Sequence, residues 1–147
     1  MLVEGNIIYF DPFYFKNGNT AKPKYFVVLK INGTSNIIAS LPTRKNIIPV
    51  NATKQQSGCV ELPDYNQNSF VISENEEITE CGKYFDFQTH IYGHQIDDYE
   101  VSLLEDIYRN EGTDYVIFGK MKADIFHRLL ECLRQSASVK RKYKKLL

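Results

Sequence analysis

Two short basic segments, Lys22-Pro23-Lys24 and Pro42-Thr43-Arg44-Lys45, carry the residue types suited to phosphate chemistry. Ammonium and guanidinium groups attract phosphate oxygens, guanidinium in a planar fork and ammonium as a point charge. A threonine hydroxyl can hold a further oxygen. Each segment abuts an apolar run, Tyr25–Ile31 after the first and Asn36–Leu41 before the second. Small β modules often place such groups at strand ends, where a phosphate could bind. The plainer alternative is that the cations are solvated and that Thr43 is a turn hydroxyl.

A general base is missing from these segments. Asp11 or His90 could serve if folding brings one close. The pair His90 and His94, followed by Asp97 and Asp98, could be drawn as a metal site, but i, i+4 histidines need a helix, and Gly93 with β-prone neighbours opposes one there. The acids Glu74, Glu76, Glu77 and Glu80 read as a solvated loop or as a cover for the basic site. Lys140, Arg141, Lys142 and Lys144 form a basic helical face, either solvated or in contact with RNA phosphates, beside Tyr143, which could stack on a base.

Strands must position these groups. Asn6–Phe10 is a strand signal that stops at Asp11-Pro12, where the ring removes a donor. Asn17-Gly18-Asn19 marks a turn within an exposed loop, residues 16–22. Tyr25–Ile31 and Asn36–Leu41 should pair as a hairpin around Asn32-Gly33, and their continuous hydrophobicity predicts burial on both faces. Further strands are expected at Gly58–Leu62, Ser69–Ile72, Tyr84–Phe87 or His90–Tyr92, and Tyr115–Gly119, with a polar loop at Asp64–Asn68. Asp97 or Asp98 should cap a short helix carrying Val101, Leu104 and Tyr108. From Lys122 to Gln135, Phe126, Leu129, Leu130 and Leu133 fall on one helical stripe, and a second helix should start after Ser136 or Ser138.

The 147 residues, 43% hydrophobic and 24% charged, suit a single domain with one sizeable core. Apolar runs of about five residues fall well short of the roughly 20 needed to cross a bilayer. The N-terminus lacks the pattern of a secretory signal. Cys59, Cys81 and Cys132 suggest neither a disulfide framework nor a metal knuckle, so a reducing cytoplasm is the expected home. The zero net charge hides segregation: residues 1–59 and 120–147 are basic, whereas residues 60–119 carry fourteen acids against Lys83 and Arg109. Such blocks can meet within the fold or across a dimer, and the basic ends can meet an anionic partner.

Glu4-Gly5-Asn6-Ile7-Ile8-Tyr9-Phe10-Asp11-Pro12, Lys22-Pro23 leading into Tyr25–Leu29, and Ile37–Leu41 leading into Pro42-Thr43 together resemble the MazF/PemK family of toxin ribonucleases. The late helix fits by position. The resemblance covers residues 4–49 and implies a mainly β fold, a single domain with an SH3-like barrel over about 4–119 that holds an acidic middle insertion, and C-terminal helices over about 121–147. It implies a homodimer, a possible antitoxin partner, and metal-independent cleavage of single-stranded RNA with no cofactor. In this family an arginine precedes the proline and a serine or threonine follows the third strand. Lys22 and Thr43 stand at those positions, with Arg44 adjacent, so these three are the expected catalytic residues. Lys24, Lys45, Lys140, Arg141, Lys142 and Lys144 are the expected RNA contacts. Lysine at position 22 replaces a planar fork with a flexible point charge. The alternatives are a non-catalytic RNA- or protein-binding module on the same fold, or a plain protein-interaction domain.

Overall fold

The computed structural model of the protein describes residues 1–44, 57–62 and 67–147. Lys45 and residues 64–66 of the expected polar loop lie outside them. The described residues are mainly β, with eight strands in two antiparallel sheets. Strands β1 (Asn6–Phe13), β2 (Lys22–Asn32), β3 (Asn36–Ser40), β7 (Asp97–Glu100) and β8 (Tyr115–Lys120) form a five-stranded sheet in the order β7-β3-β2-β1-β8. Strands β4 (Gly58–Leu62), β5 (Gln67–Ile72) and β6 (Thr89–Tyr92) form the second. The expected single closed barrel is not found among the described residues. The two sheets are instead connected by isolated antiparallel bridges, Thr43 to His90 and Thr79 to Met121.

The β2–β3 hairpin forms as its sequence predicts, with Asn32 opposite Asn36. Alternate residues enter opposite cores, which is why the run is continuously apolar. Val27, Leu29 and Ile38 pack toward Phe70, Ile72 and Ile91 of the second sheet. On the reverse face Phe26, Val28, Ile37 and Ala39 join Phe10, Phe13, Tyr99 and Tyr108. Phe10 is fully buried among rings, 4.2 Å from Tyr108 and 5.4 Å from Phe26 between centroids. The cores cover both faces of the larger sheet.

Two expectations are corrected. Pro12 does not end β1, because the pairing to β2 shifts register between Phe10 and Phe13 and so accommodates a residue without a donor. Asp97 and Asp98 lie on β7, paired with Ala39 and Ile38, so helix α1 (Val101–Ile107) starts after Glu100 instead. Of the alternatives Tyr84–Phe87 and His90–Tyr92, the second forms, within β6, and the first is not a strand.

Helix α2 (Ala123–Gln135) buries Ile125, Leu129, Cys132 and Leu133, with Phe126 and Leu130 at the flank of its apolar face. Rotation of the face brings Cys132 to β4, where it forms a disulfide with Cys59. This corrects the expectation of three free thiols: residues 73 positions apart in sequence meet only through tertiary packing, which spacing does not encode. It also removes the cysteine argument for a reducing cytoplasm. No helix among the described residues is long and apolar enough to cross a membrane.

The chain ends in α3 (Arg141–Lys144), a single short turn rather than the longer helix expected. A Cβ on Gly93 would lie 2.8 Å from Ser138 Oγ and 3.0 Å from Val139, so glycine permits this close approach of the tail.

Thiol counting under denaturing conditions should find one reactive cysteine, Cys81, before reduction and three after. Reduction should also lower unfolding stability by about 2–4 kcal/mol, because the bridge closes a long loop in the unfolded chain. Three reactive thiols without reductant would contradict the bridge.

Candidate functional site

Lys22 and Lys24 alternate on the leading end of β2, so both side chains project from one face of the strand. Lys24 pairs across to Phe10 and Lys22 to Phe13. Pro42, Thr43 and Arg44 emerge just beyond β3, and the antiparallel order of β3 and β2 returns them beside the β2 lysines. Thr43 is fixed by two backbone hydrogen bonds: its N–H donates to the His90 carbonyl at 2.9 Å, and the His90 N–H donates back at 2.8 Å. This bridge makes the inter-sheet contact the floor of the site.

A groove with two adjoining lobes results. The first, about 360 Å³, is lined by Lys22, Pro23, Lys24, Pro42, Thr43 and Arg44, with Tyr9 and Tyr25 as an aromatic wall. These two rings lie opposite in the β1–β2 register, 4.9 Å apart between centroids. The second lobe, about 520 Å³, shares Lys22, Lys24 and Thr43 and extends past Phe15 toward Tyr92 and Gln95. Lys24 and Thr43 therefore sit where the lobes meet.

The cations differ in their surroundings. Lys24 is half-buried and its Nζ donates to the Pro42 carbonyl at 3.2 Å. Burial, followed by the charge of Lys22, lowers its pKa from the ordinary lysine value. Exposed Lys22 sets its Nζ 5.9 Å from the centre of the Phe15 ring. Arg44 lies over the Phe87 ring, 4.4 Å from its centre, and its Nη2 is 3.5 Å from Asp86 Oδ1. Both charges of that pair are largely exposed, 63% and 70%, so water screens their attraction and an incoming anion can compete for Arg44. Among the described residues neither Lys22 nor Lys24 forms an ion pair.

Neither proposed base reaches the groove. Asp11 lines neither lobe. His90 contributes its backbone to the floor, but its side chain is 2% exposed, stacked with Tyr92 at 5.5 Å and 3.4 Å from Ser69 Oγ through Nδ1. Burial lowers its pKa.

The acid beside the site is Asp86, not the 74–80 cluster. Glu76 instead accepts hydrogen bonds from the Ser57 N–H and Oγ, and the Glu80 N–H donates to the Lys120 carbonyl. Lys140, Arg141, Lys142 and Lys144 also lie outside the groove lining. Their expected stacking partner, Tyr143, is buried and donates its hydroxyl to Asp98 at 2.7 Å and Asp97 at 3.1 Å, so it offers no free ring face for a base. These contacts lower the Asp98 pKa and, with burial, raise that of Tyr143. Among the described residues no group of three or more His, Cys, Asp or Glu is placed to hold a metal.

Sequence reasoning missed Tyr9 and Tyr25 as walls, and Asp86-Phe87 as the mount of Arg44. The tyrosine pair was accessible from the β1–β2 register, whereas the Arg44–Asp86 contact spans sheets and left no local signal. No known protein family, curated protein or solved structure matches the chain.

The lowered His90 pKa makes stability depend on acidity. The unfolded chain binds a proton near pH 6.5 while the native chain resists it, so His90 should cost stability as pH falls below about 6.5. An NMR titration of the His90 ring should give a midpoint below the ordinary histidine value of about 6.5. An equal or higher midpoint would contradict the burial argument.

Proposed function

We propose that the protein binds single-stranded RNA in this groove and cleaves it without a metal, by attack of a ribose 2′-hydroxyl on the neighbouring phosphorus. What supports the reading is the convergence of Lys22, Lys24, Thr43 and Arg44 beside the Tyr9–Tyr25 wall. Cations attract the backbone and aromatic faces stack with bases, a combination suited to a flexible, unpaired strand. Lys22 and Arg44 would offset charge on the non-bridging oxygens, and the Thr43 hydroxyl would hold one of them. Confinement in the lobe would favour an in-line approach of the 2′-oxygen.

The finer reading of the fold goes with this proposal. The hairpin at the centre of the larger sheet, the second sheet bridged to it and the C-terminal helix support an SH3-like barrel of the MazF/PemK type, with breaks between its sheets. A homodimer and a partner antitoxin that neutralises the basic groove follow from the same proposal.

A second reading, RNA binding without cleavage, draws on one observation: neither Asp11 nor His90 presents a base to the groove. The two readings separate in one experiment. With chelator present, cleavage should release fragments ending in a cyclic phosphate, and an Arg44→Ala variant should lose most of that activity. Binding should weaken with salt at a log–log slope of about −2, corresponding to three cations at roughly 0.7 each. Salt-dependent binding with intact RNA would select the second reading, and no binding at low salt would overturn both.

A further inference from the structure

We infer that Lys24 is the proton-transfer residue of the groove, accepting the 2′-hydroxyl proton as that oxygen attacks phosphorus; this rests on the RNA-cleavage reading and identifies the group that reading lacks. Lys24 stands at the junction of the lobes, beside the Thr43 hydroxyl and Lys22. Its stem is half-buried and its Nζ is anchored on the Pro42 carbonyl at 3.2 Å. An anchored ammonium at a lobe junction can address a substrate on either side, a placement that a freely solvated lysine lacks.

Burial, first, and the Lys22 charge lower the Lys24 pKa, while the Pro42 carbonyl that accepts from Nζ holds the amine in place and favours its ammonium form. Lys22 approaches from the same strand and Arg44 from the segment after β3, both cationic. Tyr9 on β1 and Tyr25 on β2 complete the wall, and burial with the neighbouring Tyr9 raises the Tyr25 pKa, keeping that phenol protonated. Among the described residues no carboxylate lines either lobe, and Asp86 beside the groove is paired with Arg44. Burial and the Lys22 charge therefore loosen the Lys24 proton, and among the described residues no lining carboxylate opposes them. Lysines desolvated beside another cation are suited to base chemistry.

The step balances in protons and electrons. The neutral amine of Lys24 takes the 2′-hydroxyl proton, the 2′-oxygen forms a bond to phosphorus, and the bond from phosphorus to the 5′-oxygen breaks with its electron pair on that oxygen. The Lys22 ammonium protonates the departing oxygen, giving a 5′-hydroxyl and a 2′,3′-cyclic phosphate. Transfer of the proton from Lys24 to Lys22 through water resets the pair.

The test compares wild type, Lys24→Arg and Lys24→Ala on a short single-stranded RNA, with binding and cleavage measured across pH. Arginine keeps the charge but does not release a proton in this pH range. Lys24→Arg should bind RNA within about threefold of wild type, and its cleavage should fall by about 10²–10⁴-fold, the usual weight of general acid–base catalysis. Wild-type cleavage should rise with pH as Lys24 loses its proton. Added methylamine should restore part of the activity of Lys24→Ala, a response that a purely structural role would not produce. Lys24→Arg cleavage within tenfold of wild type, or no rescue by methylamine, would overturn the inference. Wild-type binding without cleavage would overturn it while leaving RNA binding intact, and absence of binding would overturn both.

Discussion

Burial of β2 on both faces is the constraint on which the rest depends. Phe26, Val27, Val28 and Leu29 are fully buried and divide between two cores, so the middle of this strand has no room for a charge. Its polar residues are confined to the ends. Lys22 and Lys24 stand at one end, where the sheet extends past its cores and the β3 exit returns alongside. The cationic groove is thus the polar margin of a doubly covered strand. Its composition follows from the hydrophobic demand at the centre of the sheet as much as from any ligand.

The Thr43–His90 bridge converts that margin into a cavity. Two backbone hydrogen bonds hold the β3 exit against β6, so the second sheet supplies a floor and a far wall. His90 serves this arrangement through its main chain, with its ring withdrawn into the protein. Backbone fixation of Thr43 also keeps it on the lining that it shares with Lys24 in both lobes. With several donors and, among the described residues, no carboxylate in its lining, the groove makes the protonation state of its lysines the chemical variable that matters.

Local patterns revealed much of the fold. The β2–β3 hairpin, the two-faced burial, β4, β8 and α2 follow from runs of apolar residues and turn signals within short windows. The meeting of Lys22, Lys24, Thr43 and Arg44 was left open by those patterns and is seen in the fold, where the hairpin brings the start of β2 beside the exit of β3. Long-range contacts were less visible. The Cys59–Cys132 bridge, the stacking of Arg44 on Phe87, and the binding of Tyr143 by Asp97 and Asp98 join residues whose sequence neighbourhoods give no hint of one another. Asp97-Asp98 reads locally as a helix cap, but pairing with β3 outweighs that preference and draws both residues into a strand.

Mapping a short single-stranded RNA onto the isotope-labelled protein by amide and side-chain NMR shifts tests the central claim most directly. Perturbations should concentrate at Lys22, Lys24, Tyr25, Thr43 and Arg44, with those at Lys140–Lys145 smaller. Shifts confined to the C-terminal tail, or none at low salt, would contradict the assignment of the groove.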